Sequence, residues 1–219
     1  MIEAFDGSDR NKYWNKFYED GNKTIFPSQF AVMLASTVSS EFDIVDLGCG
    51  NGRDTFFFSQ LGYRVVGIDQ SEVAIRSNLS RSLGGRQDNV RFVQANFSDR
   101  EKIELAANIN GIKSKKIYYC RFVLHSITDD EEDKLFSTLV ELIKPEDKFY
   151  AEFRTEKDRN KEKIFGSHFR RFLNGEAFLQ RCSDRGLVPD YFIEGVGMAT
   201  FRSEDPVVAR VVLVKRYGQ

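Results

Sequence analysis

The sequence predicts an α/β fold: a mostly parallel sheet with helices on both faces, closed at the C-terminal end by an antiparallel hairpin. Three observations carry that prediction. From about residue 42 onward, short β-rich runs alternate with amphipathic runs of helical period. A glycine-rich turn joins the first of those strands to the first of those helices. Near the C-terminus two strand-like runs follow each other with no helix between them, and strands joined by a short turn pair antiparallel.

Ahead of the sheet, Arg10 to Tyr18 carries Tyr13, Trp14, Phe17 and Tyr18 at helical spacing. A second helix is expected from Pro27, a good first-turn residue, through Leu34. Phe42 to Leu47 reads as a buried strand, Gly52 to Leu61 as a helix, and Arg64 to Asp69 as the next strand. Phe56, Phe57 and Phe58 are expected in the core. A helix from Ser71 to about Leu83 leads to a third strand, Val90 to Gln94. Lys116 to Cys120 is the fourth, and the helix from Asp129 to Ile143 puts Leu135, Phe136, Leu139 and Ile143 on one face. Strands separated by helices need crossovers, hence parallel pairing. Lys148 to Phe153 is a fifth strand, and Gly175 to Arg185 a helix ended by Gly186. The hairpin is expected from about Tyr191–Phe201 and Val207–Lys215, which makes seven strands.

A chain of 219 residues is large enough for one well-buried core and slightly small for two, so 1–219 is expected to be one domain. Within it, residues 1–40 form a helical cover and 41–219 the core. A net charge of −1 gives no overall pull toward nucleic acid or an anionic membrane. No apolar run approaches the roughly 20 residues that span a bilayer, and the first residues do not read as a secretory signal. Cys49, Cys120 and Cys182 are odd in number and far apart, which argues against disulfides and a cysteine metal site and fits a reducing cytoplasm.

The chemistry centres on Asp46-Leu47-Gly48-Cys49-Gly50-Asn51-Gly52. Glycines let the backbone turn sharply and approach a ligand, and a helix N-terminus offers N–H groups. The spacing is Gly-x-Gly-x-Gly rather than the dinucleotide Gly-x-Gly-x-x-Gly. Asp46 before it repels a pyrophosphate and suits an ammonium. Asp69 ends the second strand, where an acid accepts from both ribose hydroxyls. A dinucleotide-dependent oxidoreductase is therefore disfavoured.

The segment Ile44 to Gly52 resembles the first motif of class I S-adenosylmethionine-dependent methyltransferases, and Gly62 to Ser71 resembles the second. The similarity in element order covers about residues 40 to 215 and implies a Rossmann-like fold. Arg53-Asp54 and the aromatic start resemble the small-molecule branch with tellurite-resistance and thiopurine-type enzymes. The resemblance implies S-adenosylmethionine as cofactor, with Asp46, Gly48, Cys49, Gly50, Asn51, Gly52, Asp69, Gln70, Asn96 and Phe97 around it. Where the family has an acid after the third strand, this chain has Asn96, whose amide oxygen can still accept from the adenine amine.

After the fourth strand the family places its acceptor chemistry. Tyr119 to Ile127 holds neither the Asp/Asn-Pro-Pro-Tyr nor the Pro-Cys signature of base methylation, nor the acid pair of metal-dependent catechol enzymes. No metal and no nucleic acid are expected. His125 and His168 are the two histidines: either can serve as base for a hydroxyl acceptor, and His125 can equally pack the next helix. Arg121 and Arg154 follow strand ends, where open α/β sheets bind ligands. With Arg170 and Arg171 they are expected to hold an anion. Residues 154–171 carry seven Lys/Arg against three Asp/Glu, although the run Lys157–Lys163 reads as a solvated face. Tyr13, Trp14 and Tyr18 either roof the acceptor or form a hydrophobic seam. The expected activity is methyl transfer, to oxygen, on a small or sugar-like anionic acceptor. The alternative is a non-catalytic cofactor-binding sensor or partner subunit. Oligomeric state is left open.

Overall fold

The computed structural model describes residues 7–20, 24–85, 88–108, 115–164 and 169–216. Two helices, α1 (Gly7–Glu19) and α2 (Gln29–Thr37), precede an alternating series. It runs β1 (Asp43–Leu47), α3 (Arg53–Gln60), β2 (Val65–Asp69), α4 (Glu72–Gly85), β3 (Val90–Gln94), α5 (Arg100–Ala107), β4 (Lys116–Arg121), α6 (Asp129–Leu142) and β5 (Lys148–Arg154). The chain ends with α7 (Gly175–Asp184), β6 (Leu187–Gly195) and β7 (Val208–Lys215).

The sheet has seven strands in the order β3-β2-β1-β4-β5-β7-β6. The first five are parallel, and β7 enters antiparallel between β5 and β6. This is the predicted architecture. Two details differ. Helix α5 was not expected; Asp99 caps it by accepting from the Lys102 N–H, and it buries Ile103, Ala106 and Ala107. Strand β6 begins four residues earlier than predicted and stops at Gly195, because residues after it turn back through a bridge between Phe201 and Glu204.

Successive strand side chains face opposite sides, so each strand feeds two cores. Val45, Val66, Tyr118 and Phe149 pack against α5, α6 and α7, where Leu135, Leu139 and Phe178 are fully buried. Ile44, Val65, Ile117, Tyr119 and Tyr150 pack against α2 and α3 through Phe30, Leu34, Phe56 and Phe58. Phe57 is only partly buried at the edge of that second core.

Winding reverses between β1 and β4, which lie side by side. Their C-terminal ends therefore open a crevice between a loop going one way and a loop going the other. Local sequence shapes its rim. Ser28 caps α2 by accepting from the Ala31 N–H, and Thr128 with Glu131 forms a capping box on α6. Four acids in the first turn of α6 suit the positive end of its dipole.

Candidate functional site: a cavity at the ends of β1 and β4

A cavity of about 860 Å³ opens at this crevice. One half is built by the glycine loop. Gly48 and Gly50 have φ of 77° and 53°, in the left-handed region where a Cβ is strained. A Cβ on Gly48 would lie 2.2 Å from Val123 Cγ2, and one on Gly50 would lie 2.4 Å from Tyr18 Oη. The loop is thus closely covered by the end of β4 on one side and α1 on the other.

Asp69 is held at the C-terminal tip of β2. Its two oxygens accept from the N–H groups of Gly50 and Ser71, each at 2.8 Å, and burial raises its pKa. Each oxygen keeps a lone pair for a ligand hydroxyl. Asp46 is buried at the end of β1 and accepts from Thr55 Oγ1 at 2.6 Å. Burial pushes its pKa up to about 8, against the Thr55 bond and with help from Asp54 and Asp69. Burial, with Asp69 and Asp46 nearby, also pushes the Cys49 thiol up, so it stays protonated and unreactive.

Gln70, Asn96 and Phe97, expected around the cofactor, line the same half. The Asn96 carboxamide oxygen accepts from the Ser98 N–H at 2.8 Å, which spends one of its lone pairs. Asp99 stands in the wall three residues on, but its carboxylate caps α5 and pairs with Lys102 at 2.7 Å. Gly52 does not line the cavity; it ends the turn, donating to the Cys49 carbonyl at 2.9 Å.

The other half lies over β4 and β5. Arg121, Arg154 and Arg170 line it together with Trp14, Tyr18, Phe122 and His125. Two of these arginines are already matched by protein carboxylates. Arg121 pairs with fully buried Glu152 at 2.9 Å, and Arg154 pairs with Asp158 at 2.7 Å and Glu204 at 2.5 Å. That corrects the expectation that they offer open forks to an anion. Phe122 adopts φ 59° between them, with its ring 4.1 Å from the Arg121 guanidinium and 5.4 Å from that of Arg154. A bulky residue at positive φ is a strained feature held by its surroundings.

Arg171 is a second correction, because it turns away from the cavity to Asp129, Glu132 and the Leu124 carbonyl. Tyr13 is a third. It packs edge-on to Trp14 with centroids 5.1 Å apart and does not line the cavity, whereas Trp14 and Tyr18 do. His125 is buried, and its Nδ1 accepts from the Arg154 backbone N–H at 3.1 Å. His168 lies outside the described residues.

Sequence reasoning missed a polar knot in the cavity floor. Asp54 accepts from the Ser28 N–H and Oγ at 2.7 Å each and from Tyr119 Oη at 2.8 Å, with the Arg53 guanidinium alongside. Its parts come from α2, α3 and β4, so no local spacing announces it; the Arg53-Asp54 pair at the start of α3 was the only signal. Asn11 was missed too. It lines the cavity, and its side-chain oxygen has no partner among the described residues. The described residues contain no cluster of metal-ligating side chains and no helix long and apolar enough to cross a membrane.

Residues 44–146 match the family model of methyltransferase domains. Uncharacterised methyltransferases of Schizosaccharomyces pombe are 39% identical over 56 residues, which span 26% of this chain and 38% of each of those relatives. Among solved structures, a S-adenosylmethionine-dependent methyltransferase from Anabaena variabilis aligns over 97% of this chain and 96% of its own, at 19% identity and TM-score 0.70. A TehB-like S-adenosylmethionine-dependent methyltransferase from Corynebacterium glutamicum aligns over 96% and 100%, at 15% identity and TM-score 0.61. A glycopeptide N-methyltransferase in complex with S-adenosylhomocysteine aligns over 87% and 88%, at 15% identity and TM-score 0.65. Residues 44–146 are thus similar to methyltransferase domains, and the chain shares the fold of solved S-adenosylmethionine-dependent methyltransferases.

Proposed function

We propose that this chain transfers a methyl group from S-adenosylmethionine to a small acceptor bound over β4 and β5. The observation that carries this reading is one cavity with two chemically different halves. The first has the groups such a cofactor needs: a glycine turn, the Asp69 carboxylate with lone pairs to spare, and buried Asp46. The second is walled by Trp14, Tyr18, Phe122 and arginines. At about 860 Å³ the cavity lies in the upper part of the ~300–1,000 Å³ range of ligand pockets, enough for a cofactor and a compact acceptor.

When bound, the cofactor supplies an electrophilic methyl on a sulfonium. The protein's part is to align the acceptor and to exclude water, which Trp14 and Tyr18 do from above. Proton removal by His125 is disfavoured. A ring nitrogen that accepts from a backbone N–H leaves the ring proton on the other nitrogen, where it can only be donated. We read His125 as holding the end of β5 in place. An acceptor oxygen that is already anionic needs no base, which favours O-methylation of an acid over that of a neutral hydroxyl. The small, anionic acceptor, the absence of a nucleic-acid substrate and a cytoplasmic location remain parts of this proposal.

Calorimetric titration with S-adenosylmethionine and S-adenosylhomocysteine tests it directly. Micromolar binding is expected, with a loss of about tenfold or more in Asp69→Ala, as fits removal of two hydrogen bonds to a charged group. Absence of binding to the wild-type protein would end the reading.

A further inference from the structure

Aromatic side chains from four separate segments line the cavity: Trp14 of α1, Phe26 ahead of α2, Phe122 after β4 and Phe201 between β6 and β7. Phe122 has a φ of 59°, which glycine adopts freely and phenylalanine does not. Its surroundings hold it there. Its N–H donates to the Glu152 carbonyl at 2.8 Å, its carbonyl accepts from Ser126 Oγ at 3.1 Å, and the His125 ring meets it edge-on with centroids 5.1 Å apart. A large ring kept in a cavity wall where glycine would relieve the backbone points to a use for the ring itself. At the rim, Phe26 is 73% exposed although it lines the cavity, whereas its neighbour Ile25 is equally exposed and does not line it. The loop that carries Phe201 is fastened to the start of α2, three residues beyond Phe26. Gln29 Nε2 donates to Thr200 Oγ1 at 3.0 Å, and the Thr200 N–H donates to Gln29 Oε1 at 3.2 Å. Of the arginines on this side, Arg121 is matched by Glu152, and Arg154 by Asp158 and Glu204. Ring surface is therefore a large part of what this wall offers a ligand.

We propose that the methyl acceptor of this site carries an aromatic ring, packed on Phe122 and closed in at the rim by Phe26 and Phe201. The inference rests on reading the cavity as a methyl-transfer site, and it names the acceptor's class where that reading leaves its carbon frame open. Benzoate is the simplest acid of that class and phenol the simplest hydroxyl. Aromatic rings meet one another offset or edge to face and gain from it beyond the area they bury, a gain that a saturated ring of the same size does not share. Phe26 stands in water at the mouth, and an acceptor with a flat apolar body removes its ring from that water.

Calorimetry on the S-adenosylhomocysteine complex tests this with two matched pairs of probes: benzoate against cyclohexanecarboxylate, and phenol against cyclohexanol. At least one aromatic probe is expected to bind roughly 3–10-fold more tightly than its saturated partner. F26A should weaken that probe about fivefold or more, while I25A, which alters an equally exposed side chain outside the cavity, leaves it unchanged. F122G suits the left-handed backbone and removes the ring, so it should weaken the same probe by a similar factor. Were the ring kept only for the turn, glycine would be harmless. Equal binding within both pairs, no binding of any probe, or an F26A loss no larger than that of I25A overturns the proposal. An unchanged aromatic probe in F122G does the same. F26A alters a side chain exposed at the rim, so it carries the test where F122G fails to fold. Should wild-type protein not bind S-adenosylhomocysteine, the methyl-transfer reading falls by itself. The same pairs, titrated into the ligand-free protein and its variants, then decide the aromatic preference by the same criteria.

Discussion

Asp46 shows how one buried carboxyl links stability, pH and ligand binding. Its pKa rises from 3.8 to about 8, with burial as the largest cause. Between those values the folded protein holds a proton that the unfolded chain has released. The sign follows: the stability this group contributes is complete below the unfolded pKa and is lost as pH rises through about 8. Asp46→Asn keeps the shape and removes the charge, so it should stabilise the ligand-free protein near pH 7, by on the order of 2–4 kcal/mol in a denaturant titration. The same variant should bind S-adenosylmethionine more weakly, because its ammonium loses a carboxylate. In wild-type protein that ammonium favours the ionised form, so binding below pH 8 should release a proton. Calorimetry in two buffers of different ionisation enthalpy reads this out. Equal heats in both buffers would show that Asp46 is already ionised in the free protein.

Three short links hold helix α1 across the crevice. Arg10 reaches Glu131 on α6 at 2.7 Å, Asn15 accepts from the Ser71 hydroxyl at 2.6 Å, and Tyr18 lies against Gly50. The links fall at its start, middle and end, and the face between them presents Asn11, Trp14 and Tyr18 to the cavity. Among the described residues its contacts with other elements run mainly to α4. A terminal helix outside the sheet opens more easily than the strands it lies across. Asn15→Ala removes the middle link without touching the cavity wall. It should speed amide exchange along α1 relative to β1 and β4, and raise the dissociation rate of S-adenosylhomocysteine by roughly 3–10-fold, since most affinity changes appear in the off-rate. An unchanged off-rate measured by stopped flow would mean that α1 does not gate the cofactor.

At the scale of the whole molecule, period and punctuation made the sheet, its order of elements and its C-terminal hairpin legible, because burial on both faces imposes patterns that a sequence displays. The half of the cavity that we propose for the cofactor was legible for a similar reason: Asp46, the glycines and Asp69 sit at fixed places relative to two adjacent strands. The acceptor half was not. Its arginines read as open forks, and the carboxylates that close them come from distant segments, as with Arg154 and Glu204, 50 residues apart. Asp158 illustrates the failure best. It sits in a run of alternating charge that reads as solvated, yet it is fully buried. It accepts from Arg154 at 2.7 Å and from the Val207 N–H at 3.0 Å, with Lys163 at 3.1 Å. It thereby ties the end of β5 to the segment after it and to the start of β7. A buried pair that loses one partner leaves the other charge stranded, so Asp158→Asn should cost about 3–5 kcal/mol in a denaturant titration. Asp130→Asn, which breaks the exposed pair with Lys134, should cost no more than about 0.5 kcal/mol. Raising the salt concentration should erase the small effect and leave the large one, because ions screen only charges that they can approach. Equal effects for the two variants would return Asp158 to the surface, and with it the run that the sequence alone assigns to solvent.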